Sequence, residues 1–291
     1  MTTKKKYILV INPISGDLDK SEISEKTIAF AKELDIEIVV YLTTGANDEN
    51  EIQKLYEEIK PERVIIAGGD GTVKMVGEAL EEKDVIFGII PAGSANGLAI
   101  DLNLPSILEE NIRVALQNDY IEIDMVEINK KKSLHLSDIG LNALLVKNYE
   151  NGSIRGKLGY ALKVVPTLSE SEEHFKTEIE FEEKKIFCEA QMIVIANSQK
   201  YGTGVTINPY GLINDGKFEI IVIKNVDLFT IGKIVTGNLT EESEEVDIYS
   251  TDKATITTSR KISFQIDGEY FGEEDRLEVS ILPSQMKIAV L

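Results

Sequence analysis

The first 125 residues alternate short apolar runs with amphipathic stretches. The runs read KYILVI, IEIVVYL, RVIIAG and VIFGIIP, and they are almost continuously hydrophobic. Such runs are typical of strands buried on both faces of a parallel sheet, with helices covering the two faces. The pattern predicts helices over 21–34, 47–60 and 72–82. We therefore expect an α/β unit with a three-layer, parallel-sheet architecture.

After about residue 124 the pattern changes to strict alternation. In HFKTEIEFEEKK, the side chains of Phe175, Thr177, Ile179 and Phe181 alternate with charged ones. A period of two is typical of an antiparallel strand with one wet face. Further apolar runs follow, joined by Asn-Asp-Gly and Asp-Gly turns, with one helix predicted over 156–168. The second half therefore predicts a β-rich, sandwich-like domain.

The length of 291 residues fits two domains. We place the boundary near residue 125, which gives domains of 1–125 and 126–291. The last predicted strand is free to pack back on the first domain.

Composition narrows the class of protein. The net charge of -19 argues against binding to nucleic acid. A single cysteine, Cys188, excludes an intrachain disulfide, and His135 and His174 match no metal-ligand spacing. No run of 18 apolar residues predicts a membrane span, so we expect a cytoplasmic protein.

The segment 128–165 is basic, although the chain as a whole is acidic. It holds seven basic and two acidic residues. Such a run is either a solvated face or a patch that docks on an anionic surface.

Three polar loops follow directly on predicted strands: Asn12–Gly16, Gly68–Thr72 and Pro91–Gly97. Ligands of parallel sheets bind beyond the carboxyl ends of the strands, so we expect these loops at one edge. The GGDGT stretch matches neither the dinucleotide fingerprint nor the P-loop pattern. A glycine turn that opens a helix nevertheless suits an anion. The alternatives are a tight turn at GGDGT, a plain Asn-Pro turn at NPISG, and Ser94 as the N-cap of a helix starting near Ala95.

The motifs NPISG, GGDGT, PAGSAN, LINDG and IDGE occur in this order along nearly the whole chain. In that order and spacing the chain resembles the diacylglycerol kinase and sphingosine kinase-type lipid kinase superfamily, above all the soluble bacterial diacylglycerol kinases. The resemblance implies a first domain related to NAD kinase and phosphofructokinase, which binds nucleotide, and a second domain for the lipid substrate. It also implies ATP and Mg²⁺ as cofactors.

The resemblance places the nucleotide-binding residues on the polar loops. They are Asn12, Thr43, Gly68, Gly69, Asp70, Gly71, Thr72, Ser94 and Asn96. Asp70 is also expected to act through Mg²⁺ and ordered water near the transferred group. Thr44 takes the place of Thr43 if the register differs by one residue.

The resemblance assigns two further roles in the second half. In LINDGKF, the Asp215 carboxylate and the backbone carbonyls of Leu212 and Lys217 match a structural Mg²⁺ site, and oxygen ligands suit that ion. In IDGEY, Glu269 stands where the family has its general base. Without the resemblance, both segments are good hairpin turns.

Three positions depart from the family pattern. Ser94 replaces the usual threonine but keeps the hydroxyl, Lys74 replaces asparagine, and Gly97 stands where aspartate is frequent. Lys74 either lends positive charge to a phosphate or points to solvent.

The function implied is transfer of the γ-phosphate of ATP to a lipid alcohol, with diacylglycerol converted to phosphatidic acid. Such an enzyme contacts the membrane surface peripherally during turnover. The alternatives are an NAD kinase-like or sphingoid-base kinase and a non-catalytic, nucleotide-binding regulatory protein. The sequence leaves a homodimer open.

Overall fold

The computed structural model describes residues 4–16, 18–94, 96–140, 143, 174–200, 206–225 and 245–291. The helix predicted over 156–168 and four residues of the basic segment, Lys147, Arg155, Lys157 and Lys163, lie outside them. The chain divides into two compact units. The first comprises Met1–Ile123 and Ser284–Leu291, and the second comprises Asp124–Pro283.

The first unit is built on a parallel sheet. Its strands are β1 (Lys5–Ile11), β2 (Ile36–Leu42), β3 (Arg63–Gly68) and β4 (Ile86–Pro91). They lie in the order β4-β3-β1-β2, with every neighbouring pair parallel. The end of the last strand of the chain, β14 (Glu269–Ala289), pairs in parallel with β4 through Lys287 and Ile288.

Five helices accompany these strands. They are α1 (Lys20–Glu33), α2 (Asp48–Ile59), α3 (Asp70–Ala79), α4 (Gly97–Asp101) and α5 (Leu108–Gln117). The predictions for α1 and α2 are confirmed to within one residue at each end. The start predicted for α3 is wrong, because Asp70 and not Thr72 opens the helix. Within the described parts of the chain, no helix has the length and apolar character that crossing a bilayer requires.

The layers follow from the alternation of side chains in the strands. Leu9, Ile65 and Ile90 form one core cluster with Ile23 of α1 and Ile112 of α5. The neighbouring strand residues are equally buried and point to the opposite face of the sheet. The helices α2 and α3 contact each other. In addition, α2 contacts β1 and α3 contacts β3. The first unit is thus a parallel sheet with helices on both faces.

The second unit is antiparallel. Its strands are β5 (Tyr120–Ile128, which begins in the first unit), β6 (Lys131–Ser133), β7 (Leu136–Gly140), β8 (Phe175–Phe181), β9 (Lys184–Ala190), β10 (Met192–Ala196), β11 (Phe218–Ile223), β12 (Val246–Thr251), β13 (Lys253–Ile266) and most of β14. The main path runs β12-β11-β10-β7-β13-β14, and β8 joins β13 to β9. The alternation predicted for β8 is confirmed, since Phe175, Thr177, Ile179 and Phe181 are all buried.

Arg63 joins the start of β3 to the end of α5. It is only 6% exposed, and its guanidinium donates to the carbonyl oxygens of Ala115, at 3.3 Å, and Asn118, at 2.6 Å. These carbonyls belong to the last turn and C-cap of α5, where the helix dipole favours a cation.

We predict that Arg63→Met lowers the free energy of unfolding by about 1.5–3 kcal/mol, because the carbonyls at the end of α5 lose a charged donor. Urea denaturation followed by circular dichroism measures the change. The control is Arg276→Met, whose exposed guanidinium contacts only Glu278 among the bonds described, and we expect a change below about 0.5 kcal/mol there. Equal midpoints for the two variants would contradict this role of Arg63.

Candidate active site

The loops that follow β3 and β4 touch backbone to backbone. A Cβ atom on Gly93 would lie 2.9 Å from the nitrogen of Gly69, and one on Gly69 would lie 3.1 Å from the Cα of Gly93. Asn96 stabilises the second loop, because its side chain accepts from the N–H of Gly93 at 2.8 Å and donates to the Gly93 carbonyl at 3.0 Å. Gly93 is therefore required by the close approach of the two loops, and a side chain at position 69 would have little room.

Asp70 links the same two loops. As the first residue of α3, it accepts hydrogen bonds from the N–H groups of Gly97, at 2.7 Å, and Leu98, at 3.1 Å. These are the first two N–H groups of α4, which have no partner inside the helix. The alternative interpretation, Ser94 as the N-cap of a helix starting near Ala95, is wrong, because α4 begins at Gly97 and a carboxylate from another helix binds its first N–H groups. The Ser94 side chain is exposed.

Asn12 connects the loop after β1 to the start of α3. Its side-chain amide donates to the hydroxyl of Thr72 at 3.1 Å, and its backbone N–H donates to the carbonyl of Ala67 at 3.0 Å. Its side-chain oxygen accepts from the N–H of Ile14 at 3.2 Å. Asn12 thus fixes the NPISG loop at the carboxyl ends of β1 and β3.

The loop between β2 and α2 is organised by Asp48, a residue that is only 8% exposed. Its carboxylate accepts from the N–H groups of Thr44, at 2.9 Å, and Gly45, at 2.7 Å. It also accepts from the hydroxyls of Tyr41, at 2.7 Å, and Thr44, at 3.1 Å.

These hydrogen bonds favour the ionised form of the Asp48 carboxyl group. Burial raises the pKa of Asp48, but the hydrogen bonds from Thr44, Tyr41 and Gly45 outweigh it, so the pKa lies below its ordinary value. Desolvation and the bond to Asp48 raise the pKa of Tyr41 to about 12. Asp48 is therefore an ionised acceptor at neutral pH.

These loops enclose a cavity of about 540 Å³ in the first unit. Its wall consists of the loops after β1 and β2 and the first turns of α2 and α3. The predicted residues in the wall are Asn12, Thr43, Gly71 and Thr72, with Thr44 beside them. The other predicted residues are not among the lining residues described: Gly68, Gly69, Asp70, Ser94 and Asn96. They lie next to the wall in the fold. Gly68 packs against Thr72, Gly69 packs against Gly93, and Asp70 accepts from the N–H of Gly97.

The LINDG segment is a turn held by a buried carboxylate. Asp124, 3% exposed, accepts from the N–H of Gly216 at 2.8 Å and donates its own N–H to the carbonyl of Ile213 at 2.8 Å. Asp215 is exposed, and its carboxylate accepts from the N–H of Lys217 at 3.0 Å. Among the described residues no group of three or more His, Cys, Asp or Glu side chains could hold a metal. A metal here would depend on one carboxylate and on backbone carbonyls, oxygen donors of the kind that Mg²⁺ prefers.

The IDGE segment is a two-residue hairpin between β13 and β14. Asp267 and Gly268 have φ values of 50° and 87°, as a type I′ turn requires, and Ile266 pairs with Glu269. The Asp267 carboxylate accepts from the Ser133 hydroxyl at 3.0 Å and the Leu134 N–H at 2.8 Å. Glu269 is exposed at the start of β14.

Two of these supporting residues were missed by reasoning from sequence. Asp48 stands among several acidic residues at a helix start, which is ordinary for that position, and Asp124 stands inside an apolar strand. For Asp124 the sequence did contain a usable signal. A carboxylate within a buried strand needs hydrogen-bond partners, which indicates a structural role.

Comparison with known proteins agrees with this architecture. Residues 6–128 match the family model described as the diacylglycerol kinase catalytic domain. Residues 136–290 match the model described as the YegS C-terminal NAD kinase beta sandwich-like domain. Together these matches define a kinase. The chain belongs to the diacylglycerol kinase and YegS family of lipid kinases, so the predicted fold class and family are confirmed.

Individual relatives are distant but cover the full length. The chain is 26% identical to the "Probable lipid kinase YegS" of Salmonella arizonae and 25% identical to that of Escherichia fergusonii. Each alignment covers 96% of this chain and 94% of the relative. A crystal structure of a diacylglycerol kinase from Bacillus anthracis superposes with a TM-score of 0.76 at 18% identity, covering 100% of this chain and 98% of that one. At that identity the likeness shows the fold.

We predict that Asp48→Ala weakens binding of a non-hydrolysable ATP analogue by roughly tenfold, because the loop lining the cavity loses its charged acceptor. Isothermal titration calorimetry measures the change. The control is Glu57→Ala on the same helix, which removes an ion pair with Lys83 outside the cavity wall and should leave the affinity unchanged. Equal affinities of wild type and Asp48→Ala would refute the role of Asp48.

Proposed function

We propose that the protein transfers the γ-phosphate of ATP to the hydroxyl of a lipid alcohol, with diacylglycerol as substrate and phosphatidic acid as product. The observation that carries the proposal is the cavity walled by Asn12, Thr43, Gly71 and Thr72 in a chain of this family. The names of the relatives, a lipid kinase and a diacylglycerol kinase, support the choice of substrate.

In this proposal ATP lies in the cavity with its phosphates toward the start of α3. The N-terminus of a ten-residue helix presents backbone N–H groups and a partial positive charge to an anion. Gly68, Gly69 and Gly71 allow the chain to approach the phosphates closely, and Ser94 and Asn96 belong to the adjoining loop. Phosphoryl transfer depends mainly on such positioning and on charge neutralisation.

Asp70 has two roles in this proposal. Its carboxylate fixes α4 through Gly97 and Leu98. A carboxylate has about four lone-pair positions, so the same group has capacity for a water of the Mg²⁺ shell.

For Mg²⁺ we propose Asp215 with the carbonyl oxygens of Leu212 and Lys217. When bound, the ion would supply positive charge that stabilises this turn. The chain's own contribution is a fixed turn, since Asp124 holds Gly216 and Ile213 in place.

Glu269 is the proposed general base. As the lipid hydroxyl oxygen forms a bond to the γ-phosphorus, the bond from that phosphorus to the oxygen of ADP breaks. The hydroxyl proton passes to the Glu269 carboxylate. Glu269 is exposed and therefore open to substrate, and its hairpin is held by Asp267.

The substrate implies a cytoplasmic enzyme that contacts the membrane surface peripherally. The basic segment 128–165 supports such contact, because each Lys or Arg near an anionic surface contributes about 1 kcal/mol. Lys130 and Lys131 lie at the turn between β5 and β6, and the ammonium of Lys131 lies 4.0 Å from the ring centroid of Phe271.

We expect purified protein with radiolabelled ATP and Mg²⁺ to label diacylglycerol in a lipid extract. Sphingoid base and NAD serve as separate acceptors and test the two related activities. Label on NAD alone would replace the proposed function with NAD phosphorylation. No label on any acceptor would favour a regulatory protein.

We expect Glu269→Gln to lower kcat by roughly 100-fold or more, because a general base contributes about 10²–10⁴ to the rate. The affinity for the ATP analogue should stay at the wild-type value, since the cavity belongs to the first unit. The control is Glu273→Gln on the same strand, for which we expect the kcat of the wild type. Full turnover by Glu269→Gln would remove this residue from the base role.

We expect Asp215→Asn to raise the Mg²⁺ concentration required for half-maximal activity, because the proposed site loses its only charged ligand. Direct titration of the protein with Mg²⁺ provides a readout that is independent of turnover. Unchanged Mg²⁺ dependence in both measurements would exclude Asp215 as a ligand.

A further inference from the structure

Asp138 is a buried carboxylate to which none of the roles above applies. It lies on β7, is 0% exposed, and pairs in strand register with Gln265 of β13. The side-chain amide of Gln265 donates to the Asp138 carboxylate at 2.5 Å. A buried carboxyl group needs hydrogen-bond partners, so its contacts indicate what it does.

Gln265 also binds the hairpin that carries Glu269. Its side-chain oxygen accepts from the N–H of Gly268 at 2.7 Å, and Gln265 itself is 1% exposed. A backbone N–H can only donate, so the amide must turn its oxygen toward Gly268 and its NH₂ toward Asp138. In this orientation the amide of Gln265 joins Asp138 to the turn.

The turn is thus held at both of its central residues. The Asp267 side chain binds the segment that leads into β7, and Gly268 is bound from within β13 by Gln265. Glu269 follows directly on Gly268.

We propose that Asp138 and Gln265 are positioning residues that orient Glu269 through the N–H of Gly268. The inference rests on the proposed function, because orientation matters for the rate only if Glu269 acts as base. A displacement of about 1 Å at a reacting group costs up to roughly 100-fold in rate.

The test compares Asp138→Leu with Asp138→Asn. The leucine cannot accept from Gln265, whereas the asparagine oxygen can. We expect kcat to fall roughly 10- to 100-fold in Asp138→Leu, with KM for ATP unchanged, and to stay near wild type in Asp138→Asn. A double variant, Asp138→Leu with Gln265→Met, removes both polar partners, which preserves folding better than leaving one unpaired, and should show the same loss of kcat.

Two measurements separate positioning from stability and from the proposed function. Hydrogen exchange of a peptide spanning 266–270 should quicken in Asp138→Leu and stay slow in Asp138→Asn. Thr258→Val removes a buried hydroxyl from the same strand, far along it from the turn, and should lower stability without lowering kcat.

Wild-type kcat and slow exchange in Asp138→Leu would overturn the proposal. An equal loss in Asp138→Asn or in Thr258→Val would also overturn it. If wild-type protein phosphorylates no acceptor, the proposed function fails, and hydrogen exchange at Gly268 still decides whether Asp138 and Gln265 hold the turn.

Discussion

The loops of this protein depend on aspartate carboxylates that accept backbone N–H groups. Loops lack the hydrogen-bond ladders of helices and strands, so their N–H groups need other partners. Asp70 provides them for the start of α4, Asp48 for the loop after β2, and Asp267 for the segment before β7. Asp70 matters most, because it joins the loop after β3 to the loop after β4, where Gly69 and Gly93 touch. Of these carboxylates, Asp48 holds the loop that lines the cavity of the first unit.

The regular elements of the chain could be predicted from sequence because their causes are local. Continuous apolar runs produced β1 to β4, and alternation produced β8, in which Phe175 and Ile179 are buried. The Asp267–Gly268 turn adopts the positive φ values that this dipeptide favours. The roles given to Asp70, Asp215 and Glu269 came from a resemblance of five motifs, and the family it pointed to is confirmed.

The supporting contacts of Asp70 and Asp138 could not be predicted, because they join residues far apart in sequence. Asp70 binds N–H groups 27 and 28 residues later, and Asp138 reaches Gln265 across 127 residues. Asp70 lies just beyond the end of a strand, where no local pattern distinguishes such a carboxylate from a solvated one. The same limit explains the error at Ser94, where a hydroxyl beside a predicted helix start suggested an N-cap. The actual partner of those N–H groups comes from α3, which itself begins two residues before its predicted start.

The measurement that tests the central claim most directly is the affinity of Asp70 variants for a non-hydrolysable ATP analogue in the absence of Mg²⁺. If Asp70 holds the nucleotide loops in place, Asp70→Ala should lose roughly tenfold or more in affinity, because both N–H groups of α4 lose their acceptor. Asp70→Asn keeps one acceptor oxygen and should lose less. Wild-type affinity in both variants would contradict the account and would confine Asp70 to a role that requires the metal ion.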